Sequence, residues 1–220
     1  MMYPGYAGVD ERTRATLAGQ VFGLLGFSAL FTMGGALVAP LIGPGAFLMS
    51  LVGSFGALIA LMFLRNKSPI NLGLFYLFSV AMGLSLGLIV QGYVAAGQGM
   101  IVANAAATTA ALVLALSAYA WTTKRDLSGL GPILFVGLIG LIVGSLVNAF
   151  FFHATGFSLL LSAGIAVVFS GYILYDMQRL RNAKGGTGDA ILIAVSIYLD
   201  IFNLFLAILQ ILGFLGGRDE

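Results

Sequence analysis

The sequence predicts an all-α integral membrane protein of seven transmembrane helices. Three features point there: an apolar composition, unbroken apolar runs near twenty residues long, and basic residues confined to alternate breaks between those runs. Hydrophobic residues make up 60% of the chain and charged residues 8%, against roughly 25% charged in a soluble domain. A chain of 220 residues cannot hide that much apolar surface from water, so lipid is the solvent for most of it. In lipid every backbone N–H and C=O must be satisfied internally, which leaves helices or closed barrels. Barrel strands alternate apolar and polar residues over about ten positions. The long unbroken runs here fit helices instead.

The runs place the spans at about 17–39, 46–64, 70–95, 101–122, 131–152, 157–181 and 190–215. Each reaches the roughly 17–25 residues that a bilayer core requires. Turn-forming stretches separate them: PLIGPG from Pro40, RNKSP from Arg65, GQGM from Gly97, KRDLSGLG from Lys124, the region from His153 to Gly156, and KGGTGD from Lys184. The expected organisation is a cytoplasmic N-terminal segment (1–16), one transmembrane domain (17–215) and a short tail (216–220). The N-terminal segment is polar, with Asp10 and Glu11, and does not read as a cleaved signal peptide.

Charge fixes the expected orientation. Arg12 and Arg14 precede span one, Arg65 and Lys67 follow span two, Lys124 and Arg125 follow span four, and Arg179, Arg181 and Lys184 lie between spans six and seven. Nine of the ten basic residues thus share one face, and only Arg218 falls on the other. Basic loops stay cytoplasmic, so the N-terminus is expected inside and the C-terminus outside. A net charge of +2 argues for no nucleic-acid partner. With no cysteine, disulfides, thiolate nucleophiles and cysteine metal sites are excluded, and a single His excludes multi-His sites. Among the 31 glycines, Gly19/Gly23, Gly83/Gly87 and Gly140/Gly144 have the spacing that lets helix backbones approach in lipid.

Ionisable residues inside apolar spans are costly and functional by default. The acidic residues within the spans are Asp176, in SGYILYDMQRL, and Asp200, in SIYLDIFNLFL. Their midpoint is residue 188, in the glycine-rich turn. Each is therefore about twelve residues, or roughly 18 Å, from that turn along its helix. In an antiparallel hairpin they sit at one depth and can meet. Ser196, Asp200, Asn203 and Gln210 share one face of span seven, which should turn away from lipid. Two carboxylates in contact cannot both ionise easily, and such a pair titrates as a unit. It can serve as a proton switch, a cation ligand, or both. Arg65 is the candidate counter-charge, with Arg179 as the local alternative. Tyr175, Ser196 and Asn203 are candidate supporting polar residues, and Tyr172 and Tyr198 also neighbour the pair. Carboxylate oxygens suit Ca²⁺, but two residues fall short of a 6–8 oxygen shell. Transient contact with Asp176 and Asp200 is expected, not a resident metal or other cofactor.

At these residues the sequence resembles the Bax-inhibitor (transmembrane Bax inhibitor motif) family, in its bacterial branch. The resemblance rests on SPINLGLFYLFSVAMGLSLG after span two, TTKRDLSGLG after span four, LIVGSLVN in span five, GYILYDMQRL in span six and SIYLDIFNLFLAILQILG in span seven. It runs over essentially the whole chain. It implies a seven-helix bundle with the seventh helix central, in a bacterial inner membrane. It also implies a calcium leak gated by pH through a di-aspartyl sensor, Asp176 and Asp200, engaged by Arg65. Calcium ions and protons are then the partners, besides the lipid bilayer and any membrane-protein partner. Family members can carry a further intramembrane ion pair that this chain lacks, which implies a less tightly latched closure.

Other readings compete. Tyr175-Asp176 and Gly186-Thr187-Gly188-Asp189 spell the YD and GxGD of an intramembrane aspartyl protease. However, Asp189 falls in the turn and no proline follows Pro132. A retinal photoreceptor needs a lysine in the last span, and the final lysine, Lys184, precedes it. The expectation is therefore no enzyme. A proton-coupled cation transporter and a non-conducting regulator of membrane-protein quality control or stress survival remain as alternatives to the leak channel.

Overall fold

The computed structural model describes residues 11–183 and 187–216, with side chains from residue 17 in the first helix and from residue 188 in the last. Most of the expected N-terminal segment, the turn residues Lys184 to Gly186 and the tail with Arg218 lie outside the described residues. Seven long helices follow one another: α1 (Glu11–Ile42), α2 (Gly45–Leu64), α3 (Ile70–Ala95), α4 (Gly99–Thr122), α5 (Leu130–Val147), α6 (Thr155–Asn182) and α7 (Thr187–Gly216). Each is long and apolar enough to cross a membrane. The seven expected spans match these helices one for one, and no strand occurs among the described residues. Two helices depart from their expected boundaries. α7 begins at Thr187, so Asp189, expected in the turn before the last span, lies in the first turn of that helix, where a carboxylate complements the dipole. The turn expected from Pro40 begins only at Gly43, because Pro40 sits in the last turn of α1, where the helix has few hydrogen bonds left to lose.

The seventh helix, expected to be central, is the most buried of the seven. In α7, 61% of the apolar window is buried, against 6–39% in the other six. Several of the others bury a single stripe. In α1 this stripe is Leu17, Val21, Leu24, Ser28, Thr32, Gly35 and Ala39, at the three-and-four spacing of one helical face. Serine and threonine are tolerated there because their hydroxyls bond back along the helix, as Thr32 Oγ1 does to Ser28 O at 2.8 Å.

The chain divides into two compact units, Met1–Leu88 with Arg179–Val195 and Ile89–Gln178 with Ser196–Glu220. In the first, α1 and α3 touch backbone to backbone. Gly83 lies against the carbonyl of Thr32, Gly87 against that of Ala36, and Gly35 against that of Val80. Pro40, four residues after Ala36, has no N–H to give the Ala36 carbonyl, and the bare Cα of Gly87 covers that oxygen. The pairs 32/83 and 36/87 keep a constant offset, so the two helices run parallel. The spacing of Gly83 and Gly87 was therefore a packing signal. That of Gly19 and Gly23 was not, since both face open space.

In the second unit α5 and α6 form an antiparallel ladder. Added methyl groups would meet Leu161 from Gly144 at 3.0 Å, Leu141 from Gly164 at 2.8 Å, Val168 from Gly137 at 3.2 Å, Leu134 from Gly171 at 2.5 Å and the Tyr175 ring from Gly131 at 3.2 Å. The large residue comes alternately from one helix and the other, and a glycine faces it each time. The expected pair Gly140/Gly144 contributes only its second member, because Gly140 meets nothing. Amide side chains close both ends. Gln178 donates from Nε2 to Arg125 O (2.8 Å) and accepts at Oε1 from the Leu127 N–H (2.7 Å). Asn148 donates from Nδ2 to Ser158 Oγ (2.8 Å) and accepts at Oδ1 from the Ala154 N–H (3.1 Å). In the loop held by Gln178, Asp126 accepts from the Ser128 N–H, which keeps its carboxyl below the usual carboxylate range.

Replacing Gly83 by alanine forces a methyl into the Thr32 backbone. Gly83→Ala is expected to cost about 1–3 kcal/mol, the usual range for overpacking. Thermal unfolding in detergent measures it, with Gly19→Ala as the control that leaves the midpoint unchanged or raises it.

Candidate functional site

Helices α6 and α7 are consecutive, and Asp176 and Asp200 meet between them, as the spacing predicts. Arg179 and Arg181 in the last turn of α6 and Asp189 in the first turn of α7 each complement the helix dipole they sit on, so the hairpin starts and stops where these charges lie. Both aspartates are withdrawn from the surface, with 1% of Asp176 and 4% of Asp200 exposed. Their side chains are hydrogen-bonded to each other. Such a bond needs a proton on one of the two carboxyls, because an ionised carboxylate only accepts. The other oxygen of Asp200, Oδ2, is buried with no hydrogen-bond partner among the described residues.

Asp200 opens onto a cavity of about 760 Å³ between α5, α6 and α7. Ser196 and Asn203 line it too, so three members of the expected polar face of α7 reach one space. Asn203 is steadied by donating to Leu199 O at 2.8 Å. The fourth member, Gln210, reaches a second cavity and bonds Ser162 of α6 at 2.7 Å. Apolar side chains such as Leu138, Ile142 and Phe169 form much of the first cavity's wall. That wall keeps the local dielectric low and strengthens every interaction of the pair.

The tyrosines divide. Tyr172 lies within electrostatic reach of both aspartates and lines the cavity beside Asp200. Its ring packs 5.9 Å from that of Phe169. Tyr175 lays its ring over Gly131 at the start of α5, and Tyr198 stacks on Phe202 with ring centres 6.0 Å apart. Helix geometry accounts for the split, since Tyr172 is four residues before Asp176 and shares its face, whereas Tyr175 is turned about 100° away.

Arg65 belongs to the other unit, at the C-terminal cap of α2. It borders a pocket of about 370 Å³ with Arg179, Asn182 and Asp189. The turn that carries it is built by Asn71, which is 1% exposed and donates from Nδ2 to Arg65 O at 2.7 Å. Gly188, in the first turn of α7, packs against Asn66 and the Arg65 carbonyl. Among the described residues no three His, Cys, Asp or Glu side chains converge as a metal-holding group.

The amides Asn148 and Gln178, together with Ser158 and Ser162, carry the polar structure at the two ends of the α5–α6 ladder and were not among the expected site residues. Neutral side chains in a span carry no charge signal. The hint available was Gln178 standing two residues after Asp176.

Comparison with known proteins agrees with this architecture. The family described as inhibitor of apoptosis-promoting Bax1 matches residues 14–217. The chain is 34% identical over 198 residues to the modulator of FtsH protease YccA of Escherichia coli K12, covering 89% of this chain and 86% of that protein. An uncharacterized protein of Helicobacter pylori is 37% identical over 169 residues, 76% of this chain and 72% of its own. A Golgi anti-apoptotic protein of vaccinia virus (strain Lister) is 39% identical over 169 residues, 77% and 69% of the two chains. With its seven apolar helices and a match along nearly its whole length, this chain is a membrane protein of the Bax-inhibitor family.

Proposed function

We propose that this protein is a pH-sensitive calcium leak channel, not an enzyme, gated by the pair Asp176 and Asp200 with Arg65 as counter-charge. It resides in a bacterial inner membrane with its basic loops and N-terminus cytoplasmic and its C-terminus outside. The observation that carries this reading is the mutual hydrogen bond of two buried carboxyls beside a cavity. The shared proton leaves the pair with one negative charge. Its loss leaves two, and at contact distances near 4 Å their repulsion is about 4 kcal/mol at an effective dielectric constant of 20. A change of that size shifts a two-state equilibrium by nearly a thousandfold. It suffices to move α7 against α6 between two packings. Calcium, with its preference for oxygen ligands, passes in transient contact with these carboxylates.

Flux into proteoliposomes across pH 5 to 8 tests this reading, with wild type compared to Asp200→Asn. Asparagine keeps a donor for Asp176 and cannot lose it. The variant's flux is therefore expected to vary less than about twofold where the wild type varies tenfold or more. Wild-type pH dependence in the variant would remove the pair from gating. Arg65→Gln is expected to move the midpoint of the pH response by about one unit, with Arg65→Lys restoring it. An unmoved midpoint would remove Arg65 as the counter-charge. Counter-transport of protons in the same vesicles would convert the leak into a proton-coupled transporter.

A second reading draws on the relative from Escherichia coli, whose name makes it a modulator of the FtsH protease. In this reading the chain conducts nothing and regulates a membrane protease. No protein-dependent flux at any pH, with co-purification of such a protease, would put it first.

A further inference from the structure

The sequence leaves one cluster of polar residues without a role. Asn148, Ser158, Ser162 and Gln210 all lie within apolar spans, yet they converge with His153 on a cavity of about 520 Å³ at the α5–α6 turn. That turn is at the opposite end of α6 from the basic loops. Ser145, Ala149 and Ile165 line both this cavity and the cavity of Asp200, so the two adjoin. A liquid water takes about 30 Å³, so the smaller space holds on the order of fifteen. That is room for a cation with its first shell of 6–8 oxygens.

The turn beside the cavity is built in an unusual way. Residues Asn148–Phe152 form one π turn, closed by the His153 N–H donating to Asn148 O at 2.7 Å. His153 then takes a left-handed conformation, φ 49°, which is uncommon for a residue with a β-carbon. Single π turns and strained backbone gather at functional sites. The strain persists here because Asn148 clamps the turn from both sides, through Ala154 and Ser158. The result sets His153 at the edge of the cavity. Within it, the Ser162 hydroxyl faces two acceptors, Ser158 O at 2.9 Å and Gln210 Oε1 at 2.7 Å. One hydroxyl proton serves one of them at a time, which leaves an oxygen for water or a cation.

We infer that this cavity is a water-filled outer vestibule that takes a hydrated cation and delivers it, past Ser145, to the aspartate pair. The inference rests on the channel reading for the word deliver. The vestibule and its water continuity stand on the geometry alone. Polar side chains that converge in a span need water or one another, and here they enclose space for water.

The chain has no cysteine, so single cysteines report access without background. Thr155→Cys at the vestibule, Ser145→Cys on the shared wall and Val136→Cys on the exposed apolar face of α5 are treated in proteoliposomes with a membrane-impermeant trimethylammonium thiosulfonate. Thr155→Cys and Ser145→Cys are expected to react more than about tenfold faster than Val136→Cys, because only a hydrated thiol ionises readily. Modified Ser145→Cys is also expected to lose its calcium flux. If Ser145→Cys reacts no faster than Val136→Cys while Thr155→Cys reacts quickly, the two cavities are not joined by water and the inference fails. If neither reacts, there is no vestibule. Fast reaction at both sites in a protein whose wild type carries no calcium would overturn the channel reading and leave the vestibule standing.

Discussion

A charge taken from water into an apolar interior must be shared, paired or given up, and much of this chain is arranged around two carboxyls that share. Asp176 and Asp200 are tolerable in a span because they bond to each other and because α7, the most buried helix, keeps them away from lipid. Their contact in turn requires α6 and α7 to stand in register. The polar face of α7 follows from the same need. Ser196 and Asn203 line the space into which Asp200 opens, where an apolar neighbour would leave the carboxyl isolated.

Much of this was legible in the sequence because the penalties are large. Seven apolar runs mark seven helices, since a backbone in lipid must satisfy itself and unbroken apolar runs do not fit the barrel alternative. Asp176 and Asp200 stand out because a carboxyl in a span is rare and expensive, and their equal distance from a glycine-rich turn is plain helix arithmetic. The choice of Tyr175 over Tyr172 as a supporting residue shows where residue-level reasoning weakens. Both are within one turn of Asp176, and their different faces matter only once the neighbours of α6 are known.

What stayed hidden involves small energies or two-body geometry. Nothing in NAFFF marks a π turn, and Asn148 looks like any amide until its partners Ala154 and Ser158 are in place. The glycines of the α5–α6 ladder do not follow the four-residue spacing; they stand six and seven residues apart on α5 and seven apart on α6. Their pattern exists only between the helices, with glycine and large residue exchanging sides at each rung. Gly19 and Gly23 have the favoured spacing and meet nothing, whereas Gly131 and Gly137 lack a partner at that spacing and pack tightly. Spacing within one helix identifies an opportunity for close approach; only the opposing helix decides whether it is taken.

That ladder limits how the protein can deform. Sliding α5 along α6 by one turn, about 5.4 Å, would set large residue against large residue at every other rung and leave glycine facing glycine between them. The amides of Asn148 and Gln178 pin the two ends against any smaller slip. The two helices therefore form a single stiff lever, with Asp176 on one face and the loop from Thr123 to Gly129 tied to its end through Gln178. A push between the aspartates cannot be absorbed inside the lever. In the proposed gating it moves the lever as one body against α7.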